Sequence, residues 1–295
     1  MQLPDAPRGQ RLARQGKNGK RNRVMATLSV IVGTTAAVAC GPLAGASSNH
    51  GQPTAEKPAA NIALERPSSW KLEFNSNFTG NELDKSIWGT CYPWAPNGCT
   101  NFGNDNEKEW YQASQVQIKN GILNLIAQRA PTSGYNARGA PKEYACRSGM
   151  VTTDPGFHFM YGYVQVIARI PYGAGLWAAL WLAAASRKWP PEIDILEHWA
   201  SDADAKVYLH PKVGTLHGGP VNTPDISKGW HSFTLYWTKS RLAWGIDGRQ
   251  VFTITKGIPQ QSMYLIANLA DTNSRPGNCS GTMLVKSVKV WQPKS

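Results

Sequence analysis

Three carboxylates fall within six residues in Glu192-Ile193-Asp194-Ile195-Leu196-Glu197. The residues between them are aliphatic and two are β-branched isoleucines, the pattern of a buried strand. Side chains alternate along a strand, so Glu192 and Asp194 share a face. Strict alternation sends Glu197 to the opposite face. One β-bulge between Asp194 and Glu197 inserts an extra residue and returns Glu197 to its partners. Three acids on one face repel if all are ionised, a cost with no return in a purely structural strand. A pair of carboxylates across one scissile bond is what glycoside hydrolysis requires. Acids scattered along a solvated strand are the bland alternative, and the flanks argue against it. Trp189-Pro190-Pro191 precede the triplet, His198-Trp199 follow it, and Trp177 and Trp181 lie just upstream. Tryptophans around acids suit a carbohydrate cleft, because the apolar C–H face of a sugar stacks on an aromatic ring.

The elements that must carry these residues read as strands. Glycine (28) and proline (20) are plentiful in the 295 residues, and no long 3.6-period amphipathic stretch follows Trp70. Short or alternating apolar runs recur instead, at Val116–Ile118, Ile122–Leu125, Tyr163–Val166, Phe233–Trp237 and Leu284–Val290. Asn120-Gly121 and Asp247-Gly248 punctuate them as hairpin turns. The pattern predicts an all-β fold, a sandwich of two antiparallel sheets.

Several segments in chain order resemble family 16 glycoside hydrolases, the family of laminarinases, lichenases, agarases and carrageenases. Phe74–Trp88 resembles that family's opening strand and its LD-x-x-x-W turn. Asn106–Tyr111 (NEKEWY) is similar to its NE-x-x-x-Y segment, and Gly162–Pro171 to the strand before its G-x-G-x-W loop. Trp230–Gly248 and Leu265–Ala270 match two later segments. The likeness spans roughly Trp70 to Pro293, and the six-residue acid motif is that of the laminarinase-like branch. The resemblance implies a jelly roll whose concave sheet carries the substrate cleft. It implies that Glu192 is the nucleophile, that Asp194 orients it, and that Glu197 is the general acid/base. The reaction implied is retaining, endo-acting hydrolysis of a β-linked polysaccharide, with β-1,3- or mixed-linkage β-1,3-1,4-glucan first. A β-galactan of the agar type, transglycosylation, and a non-catalytic carbohydrate-binding jelly roll are the alternatives.

Binding candidates are weaker residue by residue. Trp177 and Trp181 are four apart and share one strand face. Trp189 and Trp199 flank the acids. His217 in Thr215-Leu216-His217 matches a family histidine that reaches the cleft. Arg147 and Asn106 are candidate hydrogen-bond donors to sugar hydroxyls, with a structural role as the alternative for each. Two departures from the family pattern stand out. Ala178 occupies a position where the family usually has proline, which cautions against fine substrate assignment. Lys286 falls where many members place a calcium-binding aspartate, so no calcium is expected there. His198, His210, His217 and His231 lack metal-motif spacing and no cysteine pair has C-x-x-C spacing, so neither a metal nor a cofactor is expected.

Residues 1–23 carry seven basic residues, and an apolar stretch runs from Val24 to Ala39. It is too short to span a membrane comfortably and fits a signal-peptide core. We read residues 1–39 as an export signal, 40–69 as a flexible linker rich in Ala, Pro, Ser and Asn, and 70–295 as the catalytic domain. Losing residues 1–39 removes seven cations and one anion and takes the formal charge from +12 to +6. That mild surplus does not point to nucleic acid, and a monomer is expected. Ala37-Val38-Ala39-Cys40 resembles a bacterial lipobox with Ala37 in place of the usual leucine, which makes Cys40 a candidate lipid anchor for an exported or cell-surface protein. Ordinary signal-peptidase sites end at Ala39 and Ala46. The other four cysteines lie within the domain, where export favours two disulfides. Three pairings exist; Cys91–Cys99, bracketing a turn-rich loop, with Cys146–Cys279 is favoured.

Overall fold

The computed structural model describes residues 62–94, 107–136, 138–199, 205–272 and 278–294. These form a jelly-roll sandwich of two sheets. Along the larger sheet the order is β14 (Arg249–Ile254), β13 (Leu242–Ile246), β12 (His231–Trp237), β7 (Gly162–Arg169), β16 (Ser280–Gln292), β4 (Ile122–Tyr135), β5 (Pro141–Ser148) and β2 (Glu109–Tyr111). β1 (Lys71–Ser76) also pairs with β16, and β3 (Val116–Lys119) with β4. The second sheet runs β11 (His217–Val221), β10 (Ala205–His210), β9 (Glu192–Trp199), β8 (Leu176–Ala184), β15 (Met263–Asp271) and β6 (Met150–Thr152). Neighbours pair antiparallel among the described strands except β2 and β5, which run parallel. That pair departs from the purely antiparallel expectation.

Both predicted hairpin turns form. Asn120 and Gly121 join β3 to β4 with φ of 52° and 70°, and Asp247 and Gly248 join β13 to β14 with φ of 51° and 78°. Two consecutive positive φ values give a turn whose twist matches that of the strands it joins. Every apolar run singled out in the sequence lies in a strand.

The alternation of β8 and β15 explains how one sheet serves both a core and a cleft. Leu176, Ala178, Leu180 and Leu182 of β8 join Leu265, Ala267 and Leu269 of β15 in the core between the sheets. The intervening Ala179, Trp181 and Ala183, with Tyr264 and Ile266, pack on the outer face in a separate apolar cluster. Burying each core leucine stabilises the fold by about 1.5–3 kcal/mol, so register is strongly fixed. The outer face is therefore presented in one orientation only.

The Cys146–Cys279 disulfide forms as favoured, linking β5 to the start of β16 with Cα atoms 6.2 Å apart. Cys99 lies outside the described residues, and the Cys91–Cys99 pairing with it; residues 1–39 and Cys40 lie outside them too. Residues 62–69, assigned above to the linker, instead pack on the β13–β14 hairpin. Leu64 is buried, its N–H donates to the Gly248 carbonyl at 2.9 Å, and Gln250 N–H donates to the Ile62 carbonyl at 2.8 Å. An apolar side chain with a free sheet edge beside it gains more from docking than it loses in chain entropy.

Candidate active site

β9 lies between β8 and β10, and both neighbours register the same irregularity. Against β8, Glu192 pairs with Ala183, Asp194 with Trp181, and Glu197 with Ala179. Against β10, the same acids pair with His210, Tyr208 and Lys206. On the β8 side Leu180 faces Leu196 and Trp181 faces Asp194, so Ile195 is the extra residue of a bulge. Ile195 and Leu196 both enter the core. All three acids consequently line one cavity of about 350 Å³ on the outer face of the smaller sheet. Trp177, Trp181, Trp189, Trp199, Tyr208 and His210 share it.

The bulge interrupts the ladder at Asp194, and the sandwich compensates. The indole N–H of core Trp244, on β13, donates to the Asp194 carbonyl at 2.8 Å. On the cleft side, His210 Nε2 lies 3.3 Å from Glu192 Oε1 and 3.4 Å from Asp194 Oδ2.

Burial dominates the charge state. It pushes all three carboxyls up, and the neighbouring acids push Glu192 and Asp194 further. Glu197 rises to about 7, with burial the main cause and His210, the Trp177 indole and Lys206 pulling the other way. Glu192 is drawn down by His210 and by a hydrogen bond from the Trp189 indole. The three acids therefore share protons near neutral pH rather than carrying three charges. One anion beside one acid is the state that double displacement starts from.

The sequence model of glycosyl hydrolases family 16 matches residues 103–286, more than half of the chain. The chain belongs to this family. It is 28% identical over 232 residues to the endo-1,3-1,4-beta-glycanase ExsH of Rhizobium meliloti, covering 71% of this chain and 48% of that protein. It spans about half the length of ExsH and of the similar glycanase EglC. It is also 26% identical to a beta-1,3-glucan-binding protein of Penaeus monodon, over 63% of this chain and 50% of that one. Among solved structures it resembles SCLam, a non-specific endo-beta-1,3(4)-glucanase, with a TM-score of 0.70 and 26% identity over 82% of this chain and 98% of SCLam.

In this family 16 chain the aromatic residues divide by role. Trp177 and Trp199 are stacked with centroids 5.0 Å apart, and Lys206 Nζ sits 4.3 Å over Trp199. Trp181 is almost buried, and its indole donates to Asn268 Oδ1 at 2.8 Å. Asn268 in turn donates to the Tyr111 hydroxyl at 3.0 Å. Trp181 is thus a fixed floor. Trp189 is 62% exposed and stands at the rim near His210.

Two sequence candidates fall elsewhere. His217 pairs with core-buried Leu209, and directly opposed residues share a face. It therefore points away from the acids, beside Gly257. Arg147 sits on β5 of the larger sheet with its guanidinium 3.5 Å from Gln128 Oε1. Asn106 lies outside the described residues. Conversely, His210, Tyr208, Lys206 and Glu107 were not singled out by sequence. The first three alternate along β10 with core Val207 and Leu209, a period-2 signal that places them on one face without showing which sheet they join.

Among the described residues, two clusters have metal-ligand composition. Cys146, Asp271 and Cys279 gather, but both cysteines are in the disulfide. Glu192, Asp194 and His210 offer atoms within 4.8 Å of one another. A divalent cation seated there would occupy carboxylate lone pairs of Glu192 and Asp194. Beside the cleft, Glu109 is fully buried and accepts the Asp271 N–H at 2.8 Å. Burial first, then Glu107, pushes its pKa well up.

Proposed function

We propose that this chain is a retaining endo-glycosidase acting on β-1,3- or mixed-linkage β-1,3-1,4-glucan. The observation that carries the reading is the Ile195 bulge, which gathers Glu192, Asp194 and Glu197 in one tryptophan-lined cleft. The names of ExsH and SCLam support the substrate class, as does a variant of SCLam that holds 1,3-beta-D-cellobiosyl-glucose at its active site.

The chemistry follows from the charge state. The Glu192 carboxylate attacks the anomeric carbon while Glu197 delivers its proton to the departing glycosidic oxygen. The old C–O bond breaks, the leaving sugar departs with a new hydroxyl, and a glycosyl ester forms on Glu192. Esterification removes one negative charge from the cluster. Glu197, now a carboxylate, takes a proton from water as the water oxygen attacks the anomeric carbon, and Glu192 leaves as carboxylate. Two inversions retain the β configuration. His210 sits between the Glu192 and Asp194 carboxyls, orients them and draws the Glu192 carboxyl down toward its charged form. The stacked Trp177–Trp199 pair offers an aromatic platform for sugar.

The Penaeus relative keeps a second reading in view, glucan binding without cleavage. The intact acids with their shared proton favour hydrolysis. Incubating the purified chain with laminarin, barley glucan and agarose, while following reducing ends and product sizes, separates the two. Hydrolysis predicts shortening internal fragments from the glucans and none from Glu192→Gln; a binder leaves every chain length unchanged.

The same reading includes export. The basic, then apolar, N-terminus and the Cys146–Cys279 disulfide support an oxidising compartment, with Cys40 as lipid anchor.

A further inference from the structure

A second cavity, of about 300 Å³, adjoins the first. The two share Trp181, Trp189 and Glu192, so the second continues the groove past the nucleophile. Its walls include the rings of Trp94, Trp189 and Tyr264, an aromatic lining of sugar size. Among the described residues the buried Tyr264 hydroxyl has no hydrogen-bond partner.

Two adjacent cations line this cavity and differ in state. Arg187 holds the segment between β8 and β9 in place. Its Nη2 lies 2.8 Å from Asp154 Oδ2 and its Nη1 donates to the Pro93 carbonyl at 3.4 Å. Those bonds tie the segment bearing Trp189 to the one bearing Trp94, and Arg187 adopts a φ of 57° in doing so. Its charge is already answered by Asp154, which also faces His158 Nε2 at 3.3 Å. Lys188 is different. It is exposed, it lines the cavity, and among the described residues it forms no ion pair or hydrogen bond. Pro191 also lines a third cavity, which holds Lys212, and Lys212 likewise forms no ion pair among the described residues.

We propose that this second cavity is a subsite for a sugar unit carrying a carboxylate, and that Lys188 is the residue that selects for it. The proposal rests on the glycosidase reading and narrows its substrate to an acidic β-glucan. A neutral glucose ring fills the aromatic walls equally well but leaves the ammonium with water alone. A carboxylate on that ring meets a cation on a segment that Arg187 has already fixed, so little further ordering is lost on binding. A solvated surface lysine normally contributes little, and its place in the lining of an aromatic-walled cavity is what sets Lys188 apart.

The test compares laminarin oligosaccharides with the same oligosaccharides oxidised at C6 to glucuronate units. The readout is the ratio of kcat/KM on oxidised to neutral substrate, in the full chain and in Lys188→Glu. Lys119→Glu, on β3 of the other sheet, serves as a control for overall charge. The proposal expects the ratio to fall about five- to tenfold in Lys188→Glu, to hold in the control, and to converge between variants above roughly 0.5 M salt. An unchanged ratio, or an equal fall in both variants, overturns it. If the parent cleaves neither substrate, the glycosidase reading fails separately. Calorimetry of both oligosaccharides on the parent and on Lys188→Glu then decides the subsite alone. A preference for the oxidised form that vanishes in Lys188→Glu upholds it, and equal affinities overturn it.

Discussion

The Trp244 indole reaches across the sandwich and donates to the Asp194 carbonyl at 2.8 Å. One residue beyond that carbonyl the ladder breaks at Ile195. A core tryptophan of the larger sheet thus holds the strand irregularity that brings Glu197 to the cleft. Packing and catalysis meet in that bond. Trp244→Phe keeps most of the ring but leaves the carbonyl unpaired in the core. We expect a loss of about 1–3 kcal/mol in denaturant unfolding, the cost of one orphaned buried acceptor. A drop in kcat beyond the loss of folded protein is expected as well. Unchanged kcat in the folded variant would show that the bulge holds without Trp244.

His210 draws down the carboxyls of both Glu192 and Glu197. His210→Gln removes that influence. Both limbs of the pH profile of kcat/KM should therefore move to higher pH, and kcat should fall by about 10- to 100-fold through lost orientation of Glu192. A profile with unmoved limbs would reduce His210 to a bystander.

The raised carboxyls also act on stability. Glu197 has a folded pKa of about 7 against an ordinary value of 4.5. Between those values the folded state binds more protons than the unfolded one, so stability is full below about pH 4.5 and declines as pH rises through 7. Glu197→Gln removes this dependence. At pH 8 its Tm should exceed the parent's by a few degrees, and the gap should close near pH 4. Thermal scans at the two pH values check this; an equal offset at both would contradict it.

Trp199 stacks on Trp177 and carries Lys206 over its outer side. With both ring faces covered, Trp199 backs the Trp177 sugar platform, and Trp199→Ala should raise KM for glucan by up to about tenfold with a smaller change in kcat. A purely structural tryptophan would instead lower Tm and leave KM of the folded fraction alone.

Cys40 as a lipid anchor predicts that the full chain fractionates with membranes in a bacterial host and incorporates labelled palmitate. Cys40→Ala should release active protein to the soluble fraction. Membrane association that survives the substitution would contradict the anchor.

Much of this was legible because its signals are local. The acid spacing demanded a bulge, and Ile195 supplies one. Asn120-Gly121 and Asp247-Gly248 turn where two consecutive positive φ values are needed. What escaped the sequence depends on strand neighbours. His210 and His217 are seven apart on adjacent strands, yet one pairs with Glu192 and the other with core Leu209. Nothing in the order of residues says which histidine opposes an acid. Arg147 sits among polar strand residues like those of a cleft but belongs to the other sheet. Leu64 lies in a stretch whose composition is that of a linker, and one apolar side chain beside a hairpin edge was enough to dock it.

The central claim is that Glu192 forms the glycosyl ester. Reacting the chain with a 2-deoxy-2-fluoro β-laminaribioside that carries a dinitrophenolate leaving group at its anomeric carbon, then mapping peptides by mass, tests it most directly. The account predicts a stoichiometric sugar adduct on the peptide containing Glu192, lost in Glu192→Gln. A label on another carboxylate, with Glu192 unmodified, would contradict it.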